Sequence, residues 1–153
     1  MKTLLLFLGM CLSLPLAQAE KARVQRVIDG DTFVLDNGER VRMLGIDTPE
    51  MGDFEFYAVE AKNYLKRRIE GKRVELIADS HSDNRDRYDR LLRYVMVSGV
   101  DVIKELVAKG YARVYTKYKV DRRTEYLEVE AVAIDKQLGI WQDAGLILSL
   151  IHI

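Results

Sequence analysis

Cysteine is almost missing from this chain, and the single Cys11 lies in an apolar segment at the amino terminus. The body of the protein then contains no sulfhydryl once that segment is removed. Thiolate metal sites and cysteine nucleophiles are excluded, and no disulfide can reinforce the core. Net charge is missing as well, since 24 lysines and arginines balance 24 aspartates and glutamates. Bulk electrostatics alone therefore does not mark the chain as a nucleic-acid binder.

A hydrophobic run long enough to span a bilayer is also absent from the sequence. Residues 4–16 are apolar, but about 13 residues fall short of the roughly 20 that a membrane helix needs. Lys2 precedes this run and Ala17-Gln18-Ala19 follows it, which is typical of a cleaved signal peptide. We expect residues 1–19 to be removed, the protein to be exported to the periplasm or outside the cell, and no stable membrane association to remain. An uncleaved anchor is the alternative.

The rest of the chain has the size of one domain, which we place at residues 20–147. The last six residues, 148–153, form an apolar tail with no cap or partner pattern, and they resemble the translation of a transposon-derived sequencing adapter. We expect this tail to be non-native, and we assign no function to His152.

The alternation of apolar residues and turn residues predicts an α+β domain of five strands and three helices. A hairpin is predicted at 22–35, further strands at 40–46, 73–78 and 91–97, helices at 56–69, 100–109 and 122–138, and a short extended segment at 111–115. A closed or nearly closed five-stranded barrel is the economical arrangement, because closure removes exposed strand edges.

The last predicted helix has apolar residues at helical spacing. Its predicted buried stripe consists of Leu127, Ala131, Ile134 and Leu138. Trp141, which follows the helix, is predicted to pack back on the body of the domain.

The nine residues from Arg42 to Glu50 carry the most informative pattern. A strand-like segment ends in Asp47-Thr48-Pro49-Glu50, and Pro49 restricts Thr48 to extended geometry. A cation and two carboxylates are thus presented on a short, stiff piece of backbone, as catalytic groups are on a fixed scaffold. The same residues also fit a strand followed by a polar turn with a surface ion pair.

Three carboxylates, those of Asp31, Asp47 and Glu50, belong to two segments that an antiparallel meander brings side by side. Crowded carboxylates repel one another unless a positive charge lies between them. Because the available donors are oxygens, a hard cation such as Ca²⁺ fits better than zinc, and the carbonyl of Thr48 could add a ligand. The competing interpretation of Asp31 is that it serves only as a turn residue.

Two arginines supply the opposite charge. Arg42 lies on the third strand, and Arg90 closes the motif Asp86-Arg87-Tyr88-Asp89-Arg90 before the fifth. Two guanidinium groups beside a calcium ion suit a phosphodiester, which gains negative charge in the transition state of its hydrolysis. A charged surface loop is the alternative for Arg90.

These motifs together carry a family resemblance. The order and spacing of Val27 to Thr32, Arg42 to Glu50, Asp86 to Arg90 and Glu105 to Ala112 resemble the staphylococcal nuclease (thermonuclease) family over nearly all of residues 22–141. The resemblance implies an OB-fold barrel with three helices. It also implies a monomeric, Ca²⁺-dependent nuclease that cuts DNA and RNA with little sequence specificity and leaves 3′-phosphate ends.

The resemblance also implies a role for each matching residue. Asp31, Asp47 and the carbonyl of Thr48 would bind Ca²⁺, with Asp29 behind these ligands. Glu50 would be the general base or orient the attacking water, Arg42 would hold the phosphate, and Arg90 would stabilise the transition state or help the leaving oxygen. Tyr88, Tyr115 and Tyr118 would contact the substrate, although a core or surface role fits the last two equally well.

The sequence departs from the family pattern at two places. Residues 51–56 are short where the staphylococcal enzyme has a long loop, and Asp89 replaces a glycine. A non-catalytic OB-fold module that binds nucleic acid therefore remains an alternative, as does a secreted barrel that binds calcium for stability. The intact set of Arg42, Glu50 and Arg90 favours the enzyme, because binding alone would not need Glu50.

Overall fold

The computed structural model of this chain describes residues 19–50 and 57–142. The predicted signal peptide, apart from Ala19, lies outside the described residues, as do the predicted non-native tail and the short segment 51–56. Within the described ranges, no helix is both long and apolar enough to cross a bilayer.

Five strands form a closed barrel. They are β1 (Glu20–Asp29), β2 (Thr32–Leu35), β3 (Arg40–Met43), β5 (Arg73–Ile77) and β6 (Leu91–Val97). Three further strands have only two residues each, namely β4 (Ile46–Asp47), β7 (Val100–Asp101) and β8 (Arg113–Val114). The strands are hydrogen-bonded in the order β3-β2-β1-β5-β6, and β3 closes the barrel by pairing in parallel with β6. The predicted α+β fold, a five-stranded OB-fold barrel with three helices, is confirmed.

Three helices pack against the strands: the first contacts β1, the second β6 and the third β8. They are α1 (Ala58–Ile69), α2 (Val102–Ala108) and α3 (Arg123–Asp135), and a short 3₁₀ helix follows at Gly139–Trp141. The apolar residues of α2 are Val102, Ile103, Leu106 and Val107, and all four are buried in the same core as the inward-facing residues of the strands. The helix predicted at 100–109 is therefore confirmed, although its first two predicted residues form β7 instead.

The third predicted strand is interrupted, which corrects the sequence-based interpretation. Strand β3 ends at Met43, and the chain turns at Gly45, whose φ of +73° is easily adopted only by glycine. The following β4 pairs with β8 rather than extending β3, with Asp47 opposite Arg113. This turn carries Asp47 off the barrel wall and places it against a segment 66 residues further along the chain.

The buried stripe predicted for the last helix is wrong. Leu127 and Leu138 remain 37% and 36% exposed, whereas Tyr126 and Ala133 are fully buried. The helix ends at Asp135, so Leu138 lies beyond it. Its rotation is set by Tyr126, whose hydroxyl donates to Asp101 at the start of α2. Trp141 is buried in a small cluster with Ala133 and Ile140, as predicted.

Candidate metal and phosphate site

Asp31 lies in the tight turn between β1 and β2, yet its carboxylate points into the protein. The residue is 7% exposed, Oδ1 accepts a hydrogen bond from Thr32 Oγ1 at 2.9 Å, and Oδ2 accepts one from the Thr48 amide at 3.2 Å. Its own carbonyl accepts the amide of Met43. Asp31 therefore does more than form a turn, because it joins the hairpin to the segment after β4.

Arg42 lies between the two predicted metal-binding carboxylates. Its Nη2 is 3.1 Å from Asp31 Oδ2 and 3.4 Å from Asp47 Oδ1, and its Nη1 donates to the Met43 carbonyl. The Arg42 side chain is only 17% exposed. These contacts differ from an exposed surface ion pair, since both acids and the arginine are largely removed from water.

Arg113 holds the other oxygen of Asp47. Its Nη2 and Nε lie 2.7 and 3.1 Å from Asp47 Oδ2. Together with Arg42 and Asp31, these groups form a set of two carboxylates and two guanidiniums whose formal charges cancel. The sequence analysis missed Arg113. The buried Ala112 and Val114 on either side of it signal that it faces away from the core, but its partner strand β4 could not be predicted.

Thr48 contributes an unusual polar group to the site. The residue is 4% exposed, and its buried hydroxyl has no hydrogen-bond partner among the described residues. Gly30 lies so close that an added Cβ would be 2.9 Å from Thr48 Oγ1 and 2.9 Å from Ala61 Cβ. The carboxylates of Asp31 and Asp47 and the predicted carbonyl ligand of Thr48 all offer oxygen atoms, and the Thr48 hydroxyl beside them is buried and unpaired among the described residues. This chemistry fits a hard divalent cation.

Arg90 lies immediately before β6, the strand that pairs with the strand of Arg42. It directly precedes Leu91, which pairs with Val41 next to Arg42. Its Nε and Nη2 each lie 2.7 Å from Asp86 Oδ2, and Asp86 Oδ1 accepts the amides of Tyr88 and Arg90. Burial alone would raise the pKa of Asp86, but these hydrogen bonds outweigh it and hold the pKa below its usual value. Arg90 thus directly precedes a strand that pairs with the strand of Arg42, and its guanidinium is held by Asp86.

The loop that carries Arg90 is fixed to β3 by several contacts. Arg85 makes a two-pronged ion pair with Glu39 at 2.8 and 3.1 Å, and Arg40 donates to the Tyr88 carbonyl at 2.7 Å. Asp89 has φ of +60°, a left-handed conformation that glycine adopts most easily. Aspartate tolerates this conformation better than most residues, so the turn forms with Asp89 in place.

Glu50 and Asp29 are the remaining predicted site residues. Glu50 is exposed and is the last described residue before the segment 51–56. It lies three residues beyond Asp47, on the same stiff segment. Asp29 ends β1 opposite Thr32. Within the described residues its carboxylate forms no hydrogen bond or ion pair with Asp31, Asp47 or Arg42, so its predicted place behind the metal ligands stays a prediction.

The three predicted substrate-binding tyrosines are all surface residues. Tyr88, Tyr115 and Tyr118 are 53%, 37% and 61% exposed. The guanidinium of Arg90 lies 5.3 Å from the Tyr88 ring centroid. The Tyr115 and Tyr118 rings are 5.9 Å apart, and the Tyr115 amide donates to the carbonyl of Gly45 in the turn before Asp47. A core role is thus excluded for all three, and their rings are accessible for stacking.

A second group of potential ligand atoms lies elsewhere in the molecule. One atom each of Asp79, His81 and Asp121 falls within 4.8 Å of the others. Their carboxylates already accept hydrogen bonds from the chain: Asp79 from Tyr94 and the Asp121 amide, and Asp121 from Ser80 and His81. This group joins the loop before β6 to the segment before α3, and the hydrogen bonds of the chain are enough to hold the two carboxylates together.

The hydrogen bonds of Asp121 predict a dependence of stability on pH. The Ser80 amide and hydroxyl, with His81, lower the pKa of Asp121 from 3.8 to about 2. A carboxyl group whose pKa is depressed by folding adds stability above the unfolded pKa, and this contribution is lost as the pH falls toward the folded value. We expect Asp121→Asn to unfold at lower urea concentration than the wild type at pH 6, with a smaller difference between the two at pH 3.

The matched control for this prediction is Asp83→Asn, an exposed substitution in the same loop. It should shift the urea midpoint little at either pH. If Asp121→Asn lost the same amount of stability at pH 6 and at pH 3, the charge of Asp121 would not be what holds the loop.

Comparisons with known proteins agree with this geometry. The model of the family described as staphylococcal nuclease homologue matches residues 40–143. The chain is 34% identical over 133 residues to a thermonuclease of Staphylococcus intermedius, covering 82% of this chain and 78% of that protein. It is 30% identical over 146 residues to an uncharacterised protein of Methanocaldococcus jannaschii, covering 78% and 70%. It is 35% identical over 137 residues to endonuclease YncB of Bacillus subtilis, covering 82% and 64%.

Proposed function

The chain belongs to the staphylococcal nuclease family, and from that premise we propose that it is a Ca²⁺-dependent nuclease. Its proposed reaction is the hydrolysis of phosphodiester bonds in DNA and RNA, with little sequence specificity and with 3′-phosphate products. The names of its relatives, a thermonuclease and an endonuclease, support nucleic acid as the substrate.

One observation carries this proposal, namely the convergence of Asp31, Asp47 and Arg42 from three segments of the chain. The register of the hairpins explains it, because Thr32 pairs with Arg42 and so brings the residue before Thr32 beside the arginine. The same two carboxylates lie within 3.4 Å of one guanidinium nitrogen. Gathering two carboxylates and a guanidinium at a partly buried place costs solvation free energy, and such clusters of charged groups are typical of functional sites.

Asp31, Asp47 and Thr48 are the residues that would hold the calcium ion. When bound, Ca²⁺ would supply Lewis-acid polarisation of a phosphoryl oxygen and neutralise charge that develops on the phosphate. The charge balance supports this assignment. Two aspartates and two arginines sum to zero, and a divalent cation would be offset by the carboxylate of Glu50 together with one phosphodiester.

The chain's own residues divide the proposed chemistry among them. Glu50 would accept the proton of the attacking water as the new P–O bond forms. Arg42 would donate to the phosphate oxygens, and these bonds would strengthen as negative charge grows. Arg90 would donate to the 5′ oxygen as the P–O5′ bond breaks, so the phosphate stays on the 3′ side. Asp86, bonded twice to Arg90, would orient it.

Low sequence specificity follows from the kind of contact the site can make. Arg42 and Arg90 recognise phosphate, which every nucleotide carries. Exposed Tyr88, Tyr115 and Tyr118 could stack on a base without reading its edge. Among these residues nothing distinguishes a ribose from a deoxyribose, so both DNA and RNA are proposed substrates. We also propose that the protein is exported and acts as a monomer.

Removal of the metal provides the direct test. Purified protein incubated with supercoiled plasmid should nick and degrade it in the presence of Ca²⁺, and excess chelator should abolish this activity. The fragments should accept polymerase extension only after phosphatase treatment, because a 3′-phosphate blocks extension. Single-stranded RNA should be cut under the same conditions.

The possible failures distinguish the alternatives. Cleavage that persists in chelator would overturn the assignment of the metal. Binding of plasmid without cleavage in either condition would favour an OB-fold module that binds nucleic acid and has lost catalysis. Fragments that are extended without phosphatase would contradict the proposed position of bond breakage.

A further inference from the structure

Arg42 and a bound cation would compete for the same oxygens. The arginine Nη2 is 3.1 Å from Asp31 Oδ2 and 3.4 Å from Asp47 Oδ1. An N–H group that donates to a carboxylate oxygen takes up a lone pair that could otherwise ligate a metal. Its positive charge also opposes that of a cation held by the same acids. Direct contact between Arg42 and both acids thus works against loading of the metal.

We propose that Arg42 is an exchangeable counterion of Asp31 and Asp47, and that binding of a divalent cation releases its guanidinium for the substrate phosphate. This inference rests on the proposed metal site and adds a second role for Arg42. The cation and the phosphate then favour each other, since each is helped by the separation of Arg42 from the two acids.

The other contacts of the two acids permit this exchange. Without Arg42, Asp31 keeps the Thr48 amide on Oδ2 and the Thr32 hydroxyl on Oδ1. Asp47 keeps two hydrogen bonds from Arg113 on Oδ2. Departure of Arg42 therefore leaves each carboxylate with donors that are not needed elsewhere.

Arg42 is also the more weakly held of the two arginines at Asp47. Its Nη2 lies 3.4 Å from Asp47 Oδ1, whereas the Nη2 of Arg113 lies 2.7 Å from Oδ2. The Nη1 of Arg42 is bonded to the carbonyl of its neighbour Met43. This bond leaves the rest of the guanidinium able to turn from the acids toward a phosphate while one end stays attached to the strand.

The first experiment measures Ca²⁺ affinity by calorimetry, without nucleic acid, for the purified wild type and Arg42→Gln. Removing the guanidinium that competes with Ca²⁺ should tighten Ca²⁺ binding at least about fivefold, within the range of typical coupling between sites. Arg40→Gln is the matched control. This variant removes the same charge from the same face of β3, but Arg40 donates to the Tyr88 carbonyl rather than to the two acids. The Ca²⁺ affinity of Arg40→Gln should therefore differ from that of the wild type by less than about twofold.

The second experiment measures the coupling itself, using a short phosphorothioate oligothymidylate that resists cleavage. In the wild type the oligonucleotide should tighten Ca²⁺ binding at least about fivefold, and Ca²⁺ should tighten oligonucleotide binding by the same factor. In Arg42→Gln the factor should be smaller, because only the direct attraction between cation and phosphate is left.

Folding is checked in the same samples. Arg42→Gln leaves two acids facing each other, so its melting temperature should fall without Ca²⁺ and rise more than the wild type's when Ca²⁺ is added. If Arg42→Gln does not fold even with Ca²⁺, Arg42→Met removes the charge at similar length and should give the same increase in affinity.

Each outcome bears on a different statement. Wild-type protein that binds Ca²⁺ while Arg42→Gln binds it equally or more weakly would overturn the exchange and leave the metal site standing. An equal gain in Arg40→Gln would show a general effect of charge and would also overturn the exchange. Failure of the wild type to bind Ca²⁺ at all would overturn the proposed metal site together with this inference.

Discussion

Replacing Glu50 with glutamine is expected to lower kcat for plasmid cleavage by about 10²- to 10⁴-fold, the range typical for loss of a general base. Glutamine has nearly the same shape as glutamate, but its amide cannot accept the proton of the attacking water. Glu50 is exposed, and the melting temperature of the variant is measured in the same samples, so that any change of stability is separated from the loss of kcat. Initial rates at saturating substrate and Ca²⁺ measure the effect.

The matched control for this variant is Glu60→Gln. Glu60 is another exposed acid, located in the first turn of α1, and its substitution should leave kcat unchanged. The Ca²⁺ affinity of Glu50→Gln shows whether the Glu50 carboxylate is a metal ligand or a general base. A large loss of affinity would make Glu50 a metal ligand, whereas a loss of kcat at saturating Ca²⁺ supports the base. A wild-type kcat would exclude both roles.

The meeting of Asp31 and Arg42 could be predicted from the sequence because it depends on short-range features. Two tight turns fix the register of β1, β2 and β3, and this register pairs Thr32 with Arg42. The positions of residues next to such a turn are restricted by the strand register on both sides of it. The predicted proximity of Asp31 to Arg42 therefore followed from turn chemistry and alternation, whereas the roles of these residues came only from the family resemblance.

The partner of Asp47 could not be predicted in the same way. Arg113 reaches Asp47 through the pairing of β4 with β8, and each of these strands has only two residues. Two residues show no periodicity, and their pairing depends on the turn at Gly45 as well as on the course of the chain after α2. Long-range contacts between such short strands are decided by tertiary packing, which a local pattern does not contain.

The error in α3 has a related cause. Helical spacing predicts burial for Leu127 and Leu138 rather than for Tyr126, because the pattern considers only apolar residues that share one face of the helix. The structure instead buries Tyr126 because its hydroxyl finds an acceptor in Asp101, which offsets the cost of placing a phenol in the core. Burial and this hydrogen bond also raise the pKa of Tyr126. One long-range polar contact thus fixes the rotation of a helix whose apolar pattern is weak.

This dependence makes Asp101 the residue whose loss should cost the most stability among the described polar groups. Its Oδ1 caps α2 by accepting the amides of Ile103 and Lys104, and its Oδ2 accepts from Arg122 Nη1 at 2.6 Å and Tyr126 at 2.8 Å. The Asp101 side chain is 11% exposed. Breaking a buried ion pair from one side costs about 3–5 kcal/mol, and the lost cap adds about 1 kcal/mol.

We therefore expect Asp101→Ala to lower the free energy of unfolding by about 4 kcal/mol, a large part of what a domain of this size has. Asp101→Asn should lose about 3 kcal/mol, because an amide oxygen still caps α2 while Arg122 is left without a charged partner. Glu125→Ala is the control, since its ion pair with Lys104 is 49% and 44% exposed and should contribute less than about 1 kcal/mol. Urea unfolding measures all three. Equal losses in the alanine and asparagine variants would show that the charge matters and the cap does not, whereas a loss below 1 kcal/mol in both would mean that apolar packing alone holds α2 against α3.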